Sequence, residues 1–172
     1  MGAQAAREYE FNLENSKRQL EFSQKLKDQE SEARKKVLSE GYKVFLDLKK
    51  ENVPGQVQKV DPAILNAFQQ QLGQLAVSGK SAEQINQEII GAFNSYFGST
   101  QYGNKAIDLQ SQTNSILGDN QRSLLNLVAD QKKQNELAKI NNEIQKATIQ
   151  RQRDTRAFGG LQSYVNPQGN QH

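Results

Sequence analysis

The fold is decided by residues 3–50, AQAAREYEFNLENSKRQLEFSQKLKDQESEARKKVLSEGYKVFLDLKK, which contain no proline and a single glycine, Gly41. Glu, Lys, Gln, Leu and Arg dominate this stretch, and these residues have high helix propensity. At 1.5 Å per residue, a helix of this length would extend roughly 70 Å, which is longer than a small globular domain needs. The sequence therefore predicts one long helix over about 3–50.

Apolar residues recur every 11 residues along this helix. Eleven residues in three turns correspond to about 3.67 residues per turn, which is typical of nearly straight or slightly right-handed helical assemblies. The apolar stripe is thin, so the helix cannot bury it alone and requires partner helices. Two series carry the period, namely Phe11, Phe22, Ala33 and Val44, and Leu26, Val37 and Leu48.

A shorter helical region follows the first helix. Val53-Pro54-Gly55 ends that helix, and Asp61-Pro62 supplies an N-cap residue and a proline at the first helical position of the next. Ser81 followed by Gln84 is the pattern of a capping box, which indicates a further helix start. We therefore predict a compact helical hairpin over 61–98, the most hydrophobic and least charged part of the chain.

A second long helix is predicted over about 105–156, because this stretch contains no proline and only one glycine, and because the 11-residue period returns in it. The two long helices either fold back as an antiparallel hairpin or extend apart. Residues 157–172 show no periodicity and are predicted to form an extended tail. The fold class is all-α, with two long coiled-coil-like helices that flank the hairpin. The predicted divisions of the chain are 1–52, 53–104, 105–156 and 157–172.

The apolar residues of these helices are predicted to contact other copies of the chain. The hairpin 61–98 is expected to make the main subunit contact, because it is the most apolar region. The predicted contact residues are Phe11, Phe22, Leu26, Val37, Phe68, Leu72, Ile89, Phe93, Ile116, Leu127 and Ile149.

Composition argues against several kinds of site. The chain has no Cys, and its one His is the last residue, His172. Catalytic or metal sites that need a thiolate or several imidazole groups are therefore not expected. The carboxylates mostly alternate with bases on helix faces, so none is singled out for acid–base work. We predict no catalytic residue, no metal site and no cofactor, and hence no enzymatic activity. No apolar run approaches the roughly 18 residues of a membrane helix, so no stable membrane span is expected.

The net charge is +3, and its excess is concentrated late in the chain. Lys146, Arg151, Arg153 and Arg156 are opposed there only by Asp154. These cations are candidate phosphate contacts of a nucleic-acid binder, whose affinity would fall steeply with salt. Alternatively, they form a solvated helix face and interact favourably with the C-terminal end of the helix dipole.

Side-chain amides are abundant, with 24 Gln and 15 Asn among 172 residues. They are either the composition of a solvated surface or the lining of a polar, near-neutral interface or lumen. Along such a lining a polyanion could slide, because amides do not bind phosphate as tightly as Lys or Arg do.

Residues 1–24, MGAQAAREYEFNLENSKRQLEFSQ, and residues 78–90, SGKSAEQINQEII, resemble stretches of small internal virion proteins of short-tailed bacteriophages. The whole layout is similar to that family, since it combines a Cys-poor composition with two long helices around a shorter helical region. The 11-residue period and the amide-rich helices also resemble the DNA pilot proteins of small single-stranded-DNA phages, whose helices associate into a DNA-conducting tube.

This resemblance implies a non-enzymatic structural protein of the virion. It would form a homo-oligomeric internal core or part of a DNA-ejection conduit, inside the capsid or at the tail vertex. Its partners would be copies of itself and other virion proteins near the portal, with transient passage of DNA. The alternative is a soluble helical-hairpin adaptor or secretion-apparatus chaperone of the bacterial cytoplasm, which binds a protein partner as a monomer or dimer.

Overall fold

The computed structural model describes the backbone of residues 2–98 and 101–165, and the side chains of residues 2–98 and 101–157. These residues form four helices and no strand, which confirms the all-α class with two long helices around two shorter ones. The helices are α1 (Ala3–Lys50), α2 (Pro62–Ala76), α3 (Ala82–Phe97) and α4 (Gly103–Val165).

The second long helix is longer than the sequence predicted. Helix α4 begins at Gly103 and continues to Val165, so the extended tail predicted for 157–172 is wrong over 157–165. The lack of an apolar period after residue 156 does not prevent a helix, and Gly159 and Gly160 each cost it only about 1 kcal/mol. No proline occurs between Gly103 and Val165, so nothing in that stretch forbids the helix. The rest of the predicted tail, 166–172, lies outside the described residues.

The starts of α2 and α3 follow the predicted capping chemistry. The Asp61 carboxylate accepts a hydrogen bond of 2.9 Å from the backbone N–H of Ala63. At the start of α3, the Ser81 hydroxyl accepts from the Gln84 N–H at 3.2 Å, and the Gln84 side chain accepts from the Ser81 N–H at 3.3 Å. The predicted capping box is therefore confirmed, and both helix starts are encoded locally.

The chain divides into two compact units that each contain parts of both long helices. The first unit combines α1 up to Ser23 with α4 from Val128 onward, and the second unit is Gln24–Leu127. This division differs from the predicted one at 52, 104 and 156. A single helix has no core of its own, so the units form where segments of different helices pack together.

The second unit has a core to which all four helices contribute. Phe68 of α2 contacts Phe93 and Phe97 of α3 edge-to-face, at ring centroid distances of 6.2 and 5.4 Å. Around these rings lie buried residues of α1 and α4, so this unit has the largely apolar interior of an ordinary helical bundle. They are Ala33, Val37, Phe45 and Leu48 of α1 and Leu109 of α4.

Gly41 lets α1 approach the α2–α3 hairpin closely. A Cβ atom at this position would lie 2.8 Å from Leu72 Cδ2 and 3.3 Å from Ile89 Cδ1. Leu72 and Ile89 are both fully buried and have little room to shift. The single glycine of the first long helix therefore has a packing role.

A polar junction joins α1, α3 and α4 in the same unit. The Glu30 carboxylate accepts a hydrogen bond of 2.7 Å from the Ala82 N–H at the start of α3. Its other oxygen accepts from the Asn120 amide at 3.3 Å, and Gln29 donates to Asn120 at 3.2 Å. Since Glu51 pairs with Lys105 at 3.7 Å, residue numbers rise along α4 as they fall along α1. The two long helices are antiparallel within this unit.

We expect Gly41→Ala to be less stable than Gly118→Ala by about 1–3 kcal/mol, the usual cost of overpacking. Both substitutions gain the same helix propensity, and a Cβ at Gly118 meets no atom within 4 Å. The difference in free energy of unfolding, from urea denaturation followed by circular dichroism, isolates the contact at Gly41. Equal stabilities of the two variants would contradict the close approach.

Tyr102 is expected to make the second unit sensitive to alkaline pH. Its ring lies 6.0 Å from that of Phe97, and burial raises the pKa of its phenol above 10.0, with a further contribution from the Glu51 carboxylate. In the unfolded chain the phenol ionises first, so its contribution to stability is present below pH 10.0 and is lost as the pH rises through the folded-state pKa.

The measurement compares wild type with Tyr102→Phe by urea denaturation from about pH 9 to about pH 11, across the ordinary phenol pKa. The stability of the wild type should fall relative to that of the variant over this range. All other groups are the same in both proteins, so their contributions cancel in the difference. Parallel curves would contradict the role assigned to Tyr102.

Candidate assembly site

The first unit is a pair of antiparallel helix segments. Near the start of α1, Glu8 pairs with Lys146 of α4 at 3.1 Å. Toward the other end of the unit, Phe22 shares a surface depression with Val128 and Gln131. Early residues of α1 therefore meet late residues of α4.

The side of α1 that faces α4 is mixed in character. Residues spaced three and four apart share one helix face, and the half-buried residues of this segment follow that spacing. They include two aromatic rings but also two guanidinium groups and an amide. The residues are Arg7, Phe11, Asn15, Arg18 and Phe22.

The facing side of α4 is also largely polar. Asn142 is its most buried residue, with 3% of its surface exposed, and the Oδ1 atom of its amide has no hydrogen-bond partner. Ala138 and Ile149 are half-buried on the same side, and so are Gln131 and Lys146. The Nε atoms of Arg7 and Arg18 are likewise buried without a partner among the described residues. The interface between the two segments therefore contains polar atoms that it does not satisfy.

A polar groove of about 560 Å³ runs along this interface. Two carboxylates and two lysines on its walls balance one another in charge, and the remaining polar side chains are neutral amides. The lining residues are Glu8, Phe11, Asn12, Asn15, Gln19, Asn135, Lys139, Asn142, Glu143 and Lys146.

The opposite sides of both segments carry exposed apolar residues. On α1, Tyr9, Leu13 and Leu20 are 64%, 47% and 72% exposed, and we call them the α1 stripe. On α4, the corresponding residues are 57–60% exposed and are spaced three and four apart, so they form one row. We call them the α4 stripe: Leu137, Ile140 and Ile144.

The first unit therefore differs from an ordinary helix pair. An amphipathic helix normally turns its apolar stripe toward its partner and its polar face toward water. Here amides and cations share the contact between the segments with Phe11, Phe22 and Ile149, while further leucine, isoleucine and tyrosine side chains face outward. Single exposed apolar residues are common, but two aligned rows indicate a surface that is covered by another molecule.

The structure corrects part of the predicted subunit interface. Five of the predicted contact residues lie in the core of the second unit with at most 1% of their surface exposed. The chain's own helices cover them, so they cannot contact another subunit in this fold, and the hairpin 61–98 does not offer its apolar face as the main subunit contact. These residues are Val37, Phe68, Leu72, Ile89 and Phe93.

The other predicted contact residues are half-buried in one unit or the other: Phe11, Phe22, Leu26, Ile116, Leu127 and Ile149. The 11-residue periodicity stays a prediction, because Ala33 is buried while Phe11, Phe22 and Val44 of the same series are only half-buried. Sequence reasoning missed the α4 stripe. Its signal was the spacing of Leu137, Ile140 and Ile144, which does not follow the 11-residue series.

The predicted phosphate contacts fall into two groups. Lys146 is engaged by Glu8 at 3.1 Å and by Glu143 at 4.0 Å, so its charge is largely compensated. Arg151, Arg153 and Arg156 are exposed on α4. Phosphate binding stays a prediction for these four residues.

The second unit also has a depression, of about 570 Å³, beside Glu30 and Asn120. These two side chains already bond to each other and to the start of α3, which makes them structural. Within the described residues, no three His, Cys, Asp or Glu side chains are grouped so that they could hold a metal ion. No helix in the described part of the chain is long and apolar enough to cross a membrane.

Replacing the buried amide of Asn142 by an aliphatic side chain should stabilise the first unit. A buried polar atom without a partner costs about 1–3 kcal/mol, so Asn142→Leu is expected to raise the free energy of unfolding by an amount in that range. The neighbouring Asn141 is exposed, and Asn141→Leu should change stability by less than about 0.5 kcal/mol. Urea denaturation of both variants tests this, and a loss of stability in Asn142→Leu would show that the amide is satisfied.

No family model matches the chain, and no curated protein or solved structure is significantly similar to it.

Proposed function

We propose that this chain is a non-enzymatic structural protein that assembles with further copies of itself, as an internal core or DNA-ejection conduit component of a bacteriophage virion. The observation that supports assembly is the pair of exposed apolar stripes on the first unit. Six large apolar side chains are exposed there in two aligned rows, while the contact between the helices includes buried polar atoms.

Covering the two stripes with another molecule would be energetically favourable. Full burial of a Leu or Ile side chain is worth about 1.5–3 kcal/mol, so covering both stripes offers a driving force of several kcal/mol per copy. The two segments of the first unit cannot supply that cover, because each turns its stripe away from the other. Neighbouring copies of the chain can supply it, and such assemblies are the common form of soluble oligomers.

The groove between the segments is compatible with the passage of DNA. Its amides are neutral, and its lysines are balanced by Glu8 and Glu143. A surface of this kind lacks the fixed positive charge that retains phosphate tightly and in a salt-dependent way. The location inside the capsid or at the tail vertex, and the contact with other virion proteins near the portal, rest on the family resemblance of residues 1–24 and 78–90.

The second candidate function is that of a helical-hairpin adaptor or secretion-apparatus chaperone of the bacterial cytoplasm. The second unit favours it, because Ala33, Val37 and Leu48 are buried within the chain itself. That unit needs no further copy to complete its core. Such a protein would be a monomer or a dimer.

The mass of the protein in solution separates the two functions. We expect light scattering after size-exclusion chromatography to give a mass far above the 19.3 kDa of one chain. Leu13→Lys combined with Leu137→Lys, one change in each stripe, should reduce the mass to that of the monomer. A wild type that is monomeric or dimeric over the accessible concentration range would contradict the proposed assembly and favour the adaptor.

Ile107→Lys is the matched control for that experiment. Ile107 is an aliphatic residue of α4 with 65% of its surface exposed, but it belongs to the second unit and to neither stripe. The control should keep the mass of the wild type. If it dissociated the assembly as well, exposed apolar residues in general, and not the stripes, would be responsible.

A further inference from the structure

Within the described residues, the buried apolar side chains are confined to the second unit. They run from Ala33 of α1 to Leu109 of α4 and include residues of all four helices. Among residues 2–23 and 128–157 of the first unit, Asn142 is the only buried residue, and it is polar. Because burial of apolar surface is the main favourable term in folding, the second unit has a stabilising contribution that the first unit largely lacks.

Few interactions hold the two segments of the first unit together. Phe11, Phe22 and Ile149 lie in the contact but are only half-buried. Among the described residues, Glu8 and Lys146 form the one ion pair that joins the segments, and 59% of the Glu8 side chain is exposed. Exposed ion pairs contribute little to stability, since water competes for both charges. The attraction between the segments is therefore weak.

Buried polar atoms oppose this contact. The Asn142 side chain is covered by the closed arrangement, and its Oδ1 atom has no hydrogen-bond partner among the described residues. The Nε atoms of Arg7 and Arg18 are in the same situation. Water would bond to these atoms if the segments separated, so closing the pair costs hydrogen bonds that it does not replace.

Proteins open locally in cooperative units, and units with few buried apolar contacts open at the lowest free energy. We propose that the two segments of the first unit separate and rejoin as one unit while the second unit stays folded. The chain then has a closed form and an open form, in which residues 3–23 and 128–157 no longer contact each other. Each segment continues a helix that is nucleated in the second unit, so rejoining requires no new helix nucleus. Opening is a property of one chain and does not depend on the proposed assembly.

Hydrogen exchange of the full chain, followed by mass spectrometry, measures this opening. Relative to their intrinsic rates, the backbone amides of 7–22 and 131–149 should exchange at least about tenfold faster than those of α2 and α3. Asn142→Leu removes the buried amide and favours the closed form, so it should slow exchange about tenfold in both segments. The effect on 7–22 is decisive, because those residues belong to α1 and the substitution is on α4.

Asn141→Leu is the matched control for this substitution. It changes helix propensity by the same amount one residue away, but Asn141 is exposed, so exchange in 7–22 should keep the rate of the wild type. If Asn142→Leu slowed exchange only in α4, the two helix ends would fray independently of each other. That result would overturn the proposal.

Gly41→Ala tests whether the second unit opens separately. This substitution overpacks the core of the second unit against Leu72 and Ile89, so it should accelerate exchange in α2 and α3. Exchange in 7–22 and 131–149 should not change, because their opening leaves that core intact. Equal acceleration in all these regions would show that the chain opens only as a whole and would overturn the proposal.

Energy transfer between two dyes measures the separation of the segments itself. The chain has no cysteine, so dyes attach only to introduced thiols. Gln19 of α1 and Asn135 of α4 are exposed and line the same groove, so Gln19→Cys with Asn135→Cys reports closure of the first unit. Labelled chains are refolded with an excess of unlabelled wild type, which limits transfer to dyes on one chain. Transfer should be lost at a lower urea concentration than the one that unfolds the second unit.

Lys36→Cys with Asp119→Cys is the control pair for the second unit. Both positions are exposed, they lie on α1 and α4, and they line one depression of that unit. Transfer between them should persist at urea concentrations that abolish transfer across the first unit. Coincident loss of the two signals would overturn the proposal, because the two long helices would then separate along their whole length in one step.

Discussion

The edge-to-face contacts of Phe68 with Phe93 and Phe97 form the centre of the only region in the described chain where all four helices share an apolar core. That core requires α1 to lie close to the hairpin, and Gly41 allows this approach at Leu72 and Ile89. The buried apolar side chains of the described chain belong to this core. The first unit has only a small number of apolar residues, on two long segments.

Only some of those residues, such as Phe11, Phe22 and Ile149, lie between the two segments, and the residues of the two stripes do not. The first unit has Asn142, Arg7 and Arg18 with buried unpaired atoms between its helices, while both stripes are exposed. Leaving such atoms unpaired opposes the pairing of the two segments. Under the proposed assembly this cost is offset outside the chain, because a neighbour that covers a stripe binds only the folded segment and so stabilises it by mass action. Folding of the first unit and assembly would then be thermodynamically linked.

The sequence predicted the helices well because helix starts are local. Asp61, Ser81 and Gln84 specify their caps within four residues, and the absence of proline specified the long helices. The sequence-based prediction was wrong about the end of α4, because the loss of apolar periodicity after residue 156 was taken as the end of the helix. Which side of each helix is covered depends on contacts distant in sequence. Val37 and Leu20 are both apolar residues of α1, yet only Val37 has α2 and α3 beside it and is buried.

The same limit explains why part of the predicted interface, including Phe68 and Ile89, lies on residues that the fold itself buries. The hairpin was expected to make the main subunit contact because it is the most apolar region, but apolar character measures the gain from burial and not whether the chain already provides it. A residue that already lies in a core cannot gain again from a partner. A surface for copies of the chain must therefore be sought among apolar residues that the fold leaves exposed in rows. In this molecule that criterion selects the α1 and α4 stripes.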